Sequence, residues 1–313
     1  MQVEEAVKVR IGTRGSPLAL AQAHQVAERL SAAHGLRDDQ CEIVIIKTTG
    51  DKITDRPLIE AGGKGLFTKE LEEALFAGDI DLAVHSMKDV PAFLPPGLSI
   101  AAILEREDPR DAFVSLKYSS LADMPAGAIV GTSSPRRRAQ VLRARPDLKV
   151  VEFRGNVQTR LRKLEEGVAD ATFLACAGLN RLGLSQHISA IMNDDVMLPA
   201  VAQGAIGIEI RTGDNKIEDL LAPLNDADTA LCVAAERAYL AQLEGSCRTP
   251  IAGFAQLEGA KLRMRGEVLS TDGQRVHVAD IAADADNDTA VTLGEQVART
   301  ILDAAGPDFH AAG

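Results

Sequence analysis

The 313-residue sequence has no tryptophan, two tyrosines, four cysteines and no long apolar run. A membrane span needs roughly 18 consecutive apolar residues, whereas the longest candidates, such as residues 43–46, are only as long as a strand. The first residues, Met-Gln-Val-Glu-Glu-Ala, lack the basic start and apolar stretch of a signal peptide. We therefore expect a cytoplasmic protein that neither spans nor binds a membrane.

The cysteines form no Cys-x-x-Cys pair and have no histidine nearby. This pattern argues against a zinc site and against a secreted disulfide scaffold, so we expect no metal. Cys41, Cys176 and Cys232 adjoin or lie in predicted strands and helices, where packing is the expected role. Cys247 lies in a predicted loop beside Arg248, and a neighbouring cation favours the reactive thiolate. A reactive role for Cys247 is therefore a hypothesis.

Positive charge is concentrated in one segment of an acidic chain. The net charge is −11, yet residues 132–163 hold ten basic and two acidic groups. The segment could be a solvated helix face, a nucleic-acid site or a site for a small anion. Scarce aromatic residues and the acidic whole argue against nucleic acid. We favour a compact, multiply charged small molecule, because the basic residues coincide with predicted helix starts.

Hydrophobic periodicity predicts strands that alternate with helices, and this pattern indicates mainly parallel sheets. The predicted strands lie at residues 9–11, 42–47, 80–84, 128–131, 149–153, 171–174 and 206–210, and the predicted helices start at residues 17, 66, 135 and 156. Residues 12–17 and 131–135 both read as a strand, a turn and a Ser-Pro helix start. If this short internal repeat is not a coincidence, the chain has two similar lobes, each with a helix N-terminus that could bind a carboxylate.

The pattern changes near Asp228. A helix is predicted from there to Glu244, followed by strands joined at an Asp272-Gly273 hairpin turn and by a last amphipathic helix with Leu293, Val297 and Ile301 on one face. These features predict a small C-terminal α+β domain.

Candidate functional side chains lie at the end of the predicted buried strand of residues 80–84. Lys88 and Asp89 lie at its carboxyl end, where α/β proteins place ligands, although a local salt bridge is an equal alternative. His85 could be a general base or a structural histidine at the strand end.

Seven stretches of the sequence, in order along the chain, resemble the porphobilinogen deaminases. They are Thr13–Leu20, Gly62–Phe67, Val84–Pro91, Glu105–Phe113, Gly131–Ser134, Arg154–Val157 and Leu198–Ala205. The resemblance implies an α/β protein with two lobes like periplasmic binding proteins, mainly parallel sheets, and a cleft between the lobes. It implies a first lobe of residues 1–104 with 205–223, a second of 105–204, and a C-terminal α+β domain of 224–313.

The resemblance also implies an activity. The family is a group of transferases, the hydroxymethylbilane synthases, that condense four porphobilinogen molecules head to tail with loss of ammonia. The units are added to a dipyrromethane cofactor joined by a thioether to the loop cysteine, here Cys247. Water then releases the linear tetrapyrrole hydroxymethylbilane. The expected state is a monomer without metal, nucleotide or nucleic acid.

The implied residue roles match the charge of the substrate. Each pyrrole carries two carboxylates, so primer and product together present on the order of a dozen negative charges to a basic site. The implied catalytic residues are Asp89, Lys88 and Arg14. Those implied for the cofactor are Cys247, Lys88, Asp89, Thr132, Ser133, Ser134, Arg136, Arg137 and Arg160. Those implied for the substrate are Arg14, Ser16, Phe67, Arg154, Arg160 and Gln203.

In this interpretation Asp89 stabilises the cationic azafulvene that forms when ammonia leaves, and it shuttles protons. A non-enzymatic, two-lobed binding protein for a small polycarboxylate remains the alternative.

Overall fold

A computed structural model describes residues 8–52, 65–243 and 250–306 of the chain. These residues divide into two compact units. Residues 8–52, 65–105 and 205–230 form the first unit, and residues 106–204, 231–243 and 250–306 form the second. No helix in the described ranges has both the length and the hydropathy needed to cross a membrane.

The elements alternate along most of the chain. The strands are β1 (Val9–Thr13), β2 (Cys41–Ile45), β3 (Leu82–Ser86), β4 (Leu98–Ile103), β5 (Asp111–Ser115), β6 (Ile129–Gly131), β7 (Lys149–Val151), β8 (Ala171–Ala175), β9 (Ala190–Ile191), β10 (Ile206–Arg211), β11 (Ile251–Glu258), β12 (Lys261–Leu269) and β13 (Val276–Asp284). The helices are α1 (Pro17–His34), α2 (Thr49–Lys52), α3 (Lys69–Ala77), α4 (Pro135–Ala144), α5 (Val157–Glu165), α6 (Cys176–Arg181), α7 (Asn215–Leu221), α8 (Ala227–Gln242) and α9 (Asn287–Ala305).

The first unit is built on a five-stranded sheet of order β2-β1-β3-β10-β4. β1 is parallel to β2 and β3, as predicted, whereas β10 is antiparallel to β3 and β4. The sheet is therefore mixed, because β10 returns from a distant part of the chain in the opposite direction. Val9, Ile11 and Leu30 belong to the core on one side, and Leu71 and Leu75 of α3 belong to a second core cluster.

The second unit repeats this strand pattern in the order β7-β6-β8-β5-β9. β6 is parallel to β7 and β8, and β5 is antiparallel to β8 and β9. β6 leads into Ser134-Pro135 and α4, just as β1 leads into Ser16-Pro17 and α1. The short internal repeat, residues 12–17 and 131–135, therefore lies at equivalent positions in two sheets with the same strand pattern.

Local capping explains why α1 and α4 begin where the sequence predicts. Ser16 Oγ accepts the backbone N–H of Ala19 at 3.3 Å, and Ser134 Oγ accepts that of Arg137 at 3.4 Å. In both helices a proline occupies the first helical position, which needs no N–H donor.

The C-terminal segment forms an antiparallel sheet of order β11-β12-β13 with α9 packed against it. The predicted face of α9 is confirmed, since Leu293, Val297 and Ile301 are buried. α8 begins earlier than predicted, because Asp226 accepts the N–H of Thr229 and caps it. Residues from 231 onward cluster with residues 106–204 in one unit, and a separate domain of residues 224–313 stays a prediction.

Candidate active site

Four of the predicted site residues line one pocket in the first unit: Arg14, Ser16, Phe67 and Asp89. Arg14 directly follows β1, and Asp89 lies in the 3-10 turn Met87–Asp89 that follows β3. β1 and β3 are parallel neighbours, so their carboxyl ends meet at the same edge of the sheet. This topology brings together residues that are 75 positions apart in the chain.

The pocket contains a cation and an anion in a loose pair. Arg14 Nη1 lies 3.8 Å from Asp89 Oδ2, and the Arg14 guanidinium carbon lies 4.0 Å from the centre of the Phe67 ring. The Asp89 side chain is 36% exposed. Lys88, which the sequence predicts beside it, is exposed in the same turn. The pocket can therefore offer a guanidinium to a carboxylate and a carboxylate to an N–H group or a cation.

His85 also lines this pocket. Its Nε2 lies 2.8 Å from Oε2 of the buried Glu209 on β10. The histidine therefore has the structural contact that one sequence-based alternative predicts, and it also faces the site.

The second unit contains a buried charge cluster around Asp111, the first residue of β5. Arg136 Nη1 donates to Asp111 Oδ2 at 2.7 Å, and Arg137 donates to Asp111 Oδ1 from Nη2 at 2.6 Å and from Nε at 3.0 Å. Asp111 is fully buried, and both arginines are only 5% exposed. Burial by itself would raise the pKa of Asp111, but the two guanidiniums hold it well below its ordinary value.

Arg136 and Arg137 differ in the donors that they keep. Arg137 Nη1 also donates to the Phe173 carbonyl at 2.8 Å, so all three of its nitrogens are engaged. Arg136 uses Nη1 alone, for Asp111, Gln140 and the Leu198 carbonyl. Its Nε and Nη2 have no acceptor in the described part of the chain. Two nitrogens of a nearly buried cation thus remain for an anionic ligand.

The three hydroxyls that precede α4 shape the turn. Thr132 Oγ1 accepts the N–H of Ser134 at 3.2 Å, and Ser133 Oγ accepts that of Phe153 at 3.0 Å. Ser134 Oγ caps α4, as described above. Because each oxygen accepts, each O–H is still able to donate to a ligand.

Arg154 and Arg160 flank the start of α5. Asn156 caps this helix by accepting the N–H of Thr159 at 2.9 Å. Arg160 Nε donates to the Gly155 carbonyl at 2.9 Å, and both arginines are half-buried. The predicted basic groups therefore lie at helix N-termini, where the backbone N–H groups also favour anions.

Gln203 has a different environment from the one that a substrate-binding residue would suggest. Its side chain is buried, and Nε2 donates to the Pro109 carbonyl at 2.7 Å and to Asp111 Oδ1 at 3.2 Å. These contacts place Gln203 in the Asp111 cluster. A direct contact with substrate stays a prediction.

Sequence reasoning missed Asp111 itself and the buried Glu236. Glu236 on α8 accepts from Arg106 Nη1 at 2.6 Å and from the Ala255 N–H at 2.8 Å. A signal for Asp111 is present in the sequence, because Asp111 directly precedes the apolar run Ala112-Phe113-Val114, which the structure shows to be part of the buried strand β5. A charged residue at such a position needs an opposite charge.

The three cysteines that the structure describes are buried or partly buried, as expected for packing residues. Cys176 and Cys232 are buried, and burial raises the pKa of the Cys176 thiol to about 12. Cys41 is partly buried. Cys247 lies outside the described residues, as do Gly62, Gly63 and Lys64 of the predicted glycine-rich loop.

Comparison with known proteins gives consistent matches over nearly the whole chain. The family model "Porphobilinogen deaminase, dipyromethane cofactor binding domain" matches residues 9–219, and "Porphobilinogen deaminase, C-terminal domain" matches residues 230–303. Porphobilinogen deaminase of Paracoccus denitrificans (strain Pd 1222) is 58% identical over 301 residues, which cover 96% of each chain. The chloroplastic enzyme of Pisum sativum is 52% identical over 312 residues, which cover 98% of this chain and 85% of the relative.

The solved structures to which the chain is similar include periplasmic binding proteins. An ABC-transporter substrate-binding protein from Coxiella burnetii has a TM-score of 0.44 at 18% identity, covering 73% of this chain and 96% of its own. The aliphatic sulphonate binding protein from Escherichia coli has a TM-score of 0.40 at 14% identity, covering 76% of this chain and 71% of its own.

Proposed function

Because the chain belongs to the porphobilinogen deaminase family, we propose that it acts as a hydroxymethylbilane synthase through the residues assigned below. It is a transferase that uses a dipyrromethane cofactor. Four porphobilinogen molecules condense head to tail with loss of ammonia, and water releases the linear tetrapyrrole. The pairing of Arg14 with Asp89 beside Phe67 in one pocket is the observation that best supports this chemistry.

Arg14 and Asp89 have complementary tasks in this proposal. Arg14 binds a substrate carboxylate, and Phe67 holds the guanidinium by stacking against it. Asp89 accepts a hydrogen bond from a pyrrole N–H and stabilises the positive charge that develops when ammonia leaves. Ser16, at the start of α1, and Lys88 add donors for the remaining carboxylate oxygens.

The residues of the second unit fit a cofactor that carries carboxylates. Arg136 keeps Nε and Nη2 for an acceptor outside the described chain, and a nearly buried cation of this kind favours an anion strongly. We assign Arg136, Arg137, Thr132, Ser133, Ser134, Arg160 and Lys88 to the cofactor carboxylates, Asp89 to its pyrrole N–H groups, and Arg154, Arg160 and Gln203 to the substrate. Arg137 would contact the cofactor through the N–H groups that its bonds to Asp111 and to the Phe173 carbonyl do not use. When bound, the dipyrromethane supplies the pyrrole carbon to which the new units are joined. Attachment to Cys247 completes the assignment.

We further propose a cytoplasmic monomer that binds neither nucleic acid nor membrane. The net charge of −11 supports the absence of nucleic-acid binding, since a long polyanion is repelled by an acidic protein.

The deciding experiment is the intact mass of the purified protein, followed by peptide mapping and an assay with porphobilinogen. We expect an added mass of two linked pyrroles on the peptide that contains Cys247, and formation of hydroxymethylbilane. Cys247→Ser should yield protein without the added mass, whereas Cys41→Ser should keep it. Reversible anion binding without adduct or turnover would instead support a polycarboxylate-binding protein.

A further inference from the structure

His85 is held by a buried carboxylate at the edge of the proposed substrate pocket. Its side chain is 4% exposed, that of Glu209 is 0% exposed, and Nε2 lies 2.8 Å from Glu209 Oε2. The register of β3 and β10 pairs His85 with Gly207 and Ala83 with Glu209, so His85 and Glu209 share one face of the sheet. Both strands lie in the interior of the sheet, which fixes the pair rigidly.

The imidazole has a second, unengaged nitrogen. His85 lines the pocket together with Arg14 and Asp89, and its Nδ1 has no hydrogen-bond partner among the residues that the structure describes. If Nε2 carries the proton and donates it to Glu209, Nδ1 is an acceptor. A carboxylate that orients the far nitrogen of a histidine is the arrangement by which proteins position a general base.

Most of the charged groups around His85 are carboxylates. Glu209 on β10 is in direct contact, and its Oε1 has no hydrogen-bond partner in the described ranges. Glu72 on α3 is nearly buried, and burial, with the charge of Glu209 in addition, raises the pKa of Glu72. On the pocket side the charged neighbours are Arg14 and Asp89.

We propose that His85 is a catalytic base in the elongation steps, oriented by Glu209. The proposal rests on the proposed function. Each new carbon–carbon bond requires the acceptor pyrrole to lose the hydrogen on the carbon that is attacked. His85 Nδ1 takes this proton as the C–H bond breaks, and the electron pair of that bond restores the aromatic ring. The imidazolium, stabilised by Glu209, passes the proton to the ammonia released from the substrate, so ammonium leaves and His85 is neutral again.

The division of labour with Asp89 follows from their positions. Asp89 is the exposed carboxylate, suited to stabilising a cation on the substrate. His85 is the neutral acceptor, which takes the proton only after that charge has moved to the acceptor pyrrole. The two residues therefore act on different steps of one addition.

His85→Gln tests the base while keeping the structural contact, because the glutamine amide nitrogen can replace Nε2 as donor to Glu209. We expect kcat to fall about 100-fold, the typical contribution of a general base, with little change in KM. The fall in kcat on the acidic side of the pH profile should disappear. Primer loading is checked by intact mass before the assay. The matched control is His24→Gln, on the exposed side of α1, which should behave as wild type.

Glu209→Gln gives a second measurement that a purely structural role would not move. The glutamine oxygen still accepts from Nε2, but the charge that stabilises the imidazolium is gone. The acidic limb of the kcat–pH profile should therefore shift to lower pH at constant KM.

Two results would overturn the proposal. One is a His85→Gln variant with the kcat and the acidic limb of the wild type, and the other is an unshifted acidic limb in Glu209→Gln. Wild-type enzyme that forms no hydroxymethylbilane would overturn the proposed function itself, so the two failures are distinguishable.

Discussion

At the scale of single residues, the two charge clusters differ in how tightly their charges are paired. Arg14 and Asp89 lie 3.8 Å apart and are partly exposed, so either can exchange its partner for a ligand. Arg137 and Asp111 lie 2.6 Å apart and are buried, so their pairing is a fixed part of the structure. Exposed pairs contribute little to stability, whereas breaking a buried pair is costly. Substitutions in the two clusters should therefore have different consequences.

Asp89→Ala should lower kcat by more than about 100-fold, because the developing cation loses its carboxylate. The primer should remain attached, since the proposed thioether to Cys247 and the proposed contacts of Arg136 with its carboxylates do not involve Asp89. Steady-state assay and intact mass measure the two effects. Asp79→Ala, an exposed aspartate of the same unit, is the control. Near-normal turnover would remove Asp89 from the mechanism.

Arg136→Ala should reduce the fraction of protein that carries the primer, because it removes the two free nitrogens of a nearly buried guanidinium. Arg138→Ala is the matched control, since Arg138 is exposed and its Nη1 donates to the Val150 carbonyl at 3.3 Å. The loaded fraction is read from the intact mass of each purified variant. Full loading of Arg136→Ala would contradict its role at the cofactor.

Asp111→Asn should destabilise the protein at pH 7 by about 3–5 kcal/mol, the usual cost of breaking a buried ion pair. The pKa of Asp111 is lowered in the folded state, so its stabilising contribution is complete above the ordinary aspartate pKa of about 3.9 and is lost as pH falls through the folded value. The difference from wild type should thus shrink below about pH 4. Urea unfolding at several pH values measures it, with exposed Asp123→Asn as control. A constant difference down to pH 2 would contradict the linkage.

The residues predicted from sequence and those missed differ in the range of their interactions. Arg14, Ser16 and Asp89 follow strands or start helices, and such positions can be read locally. Asp111 binds Arg136 and Arg137, which lie 25 and 26 positions away, and no local pattern specifies that contact. Glu236 reaches Arg106 across 130 positions. Buried polar networks of this kind can be recognised only when the tertiary structure is known.

At the scale of elements, helix starts can be predicted from the local sequence, whereas the direction in which distant strands pair cannot. The Ser-Pro starts of α1 and α4 are correct because capping depends on neighbouring residues only. The antiparallel placement of β10 and β5 was not predicted, because apolar strands of either direction have similar patterns when both faces are buried. The paired residues of β10 and β3 lie 120 to 126 positions apart in the sequence.

Gly294 on α9 gives a test of packing between elements. A Cβ atom there would lie 2.0 Å from the Ala235 carbonyl oxygen of α8, so the two helices touch at their backbones. Alanine is the better helix former by about 1 kcal/mol. We nevertheless expect Gly294→Ala to destabilise by about 1–3 kcal/mol because the contact is overpacked. Urea unfolding gives the sign of the change in the free energy of unfolding. The control is Val291→Ala, because Val291 is exposed on the same helix. A stabilised Gly294→Ala variant would show that the helices do not pack this closely.

At the scale of the whole molecule, the proposed monomer is directly measurable. Light scattering during size-exclusion chromatography should give a mass near the 33.2 kDa of one chain. The result should not depend on protein concentration, and a mass that rises with concentration would contradict the proposal. The acidic chain as a whole, with its net charge of −11, also favours separation of copies.

The interrupted first sheet has a consequence for synthesis on the ribosome. β10 lies between β3 and β4, yet it is made after all strands of the second sheet. The second sheet uses one continuous segment, residues 111–191, and all its strands are available as soon as that segment has emerged. The earlier-translated sheet therefore lacks one interior strand until β10 is made, and the facing edges of β3 and β4 stay unpaired. Unpaired strand edges are the kind of surface that attracts chaperones. Translation order and completion order of the two sheets are therefore opposite.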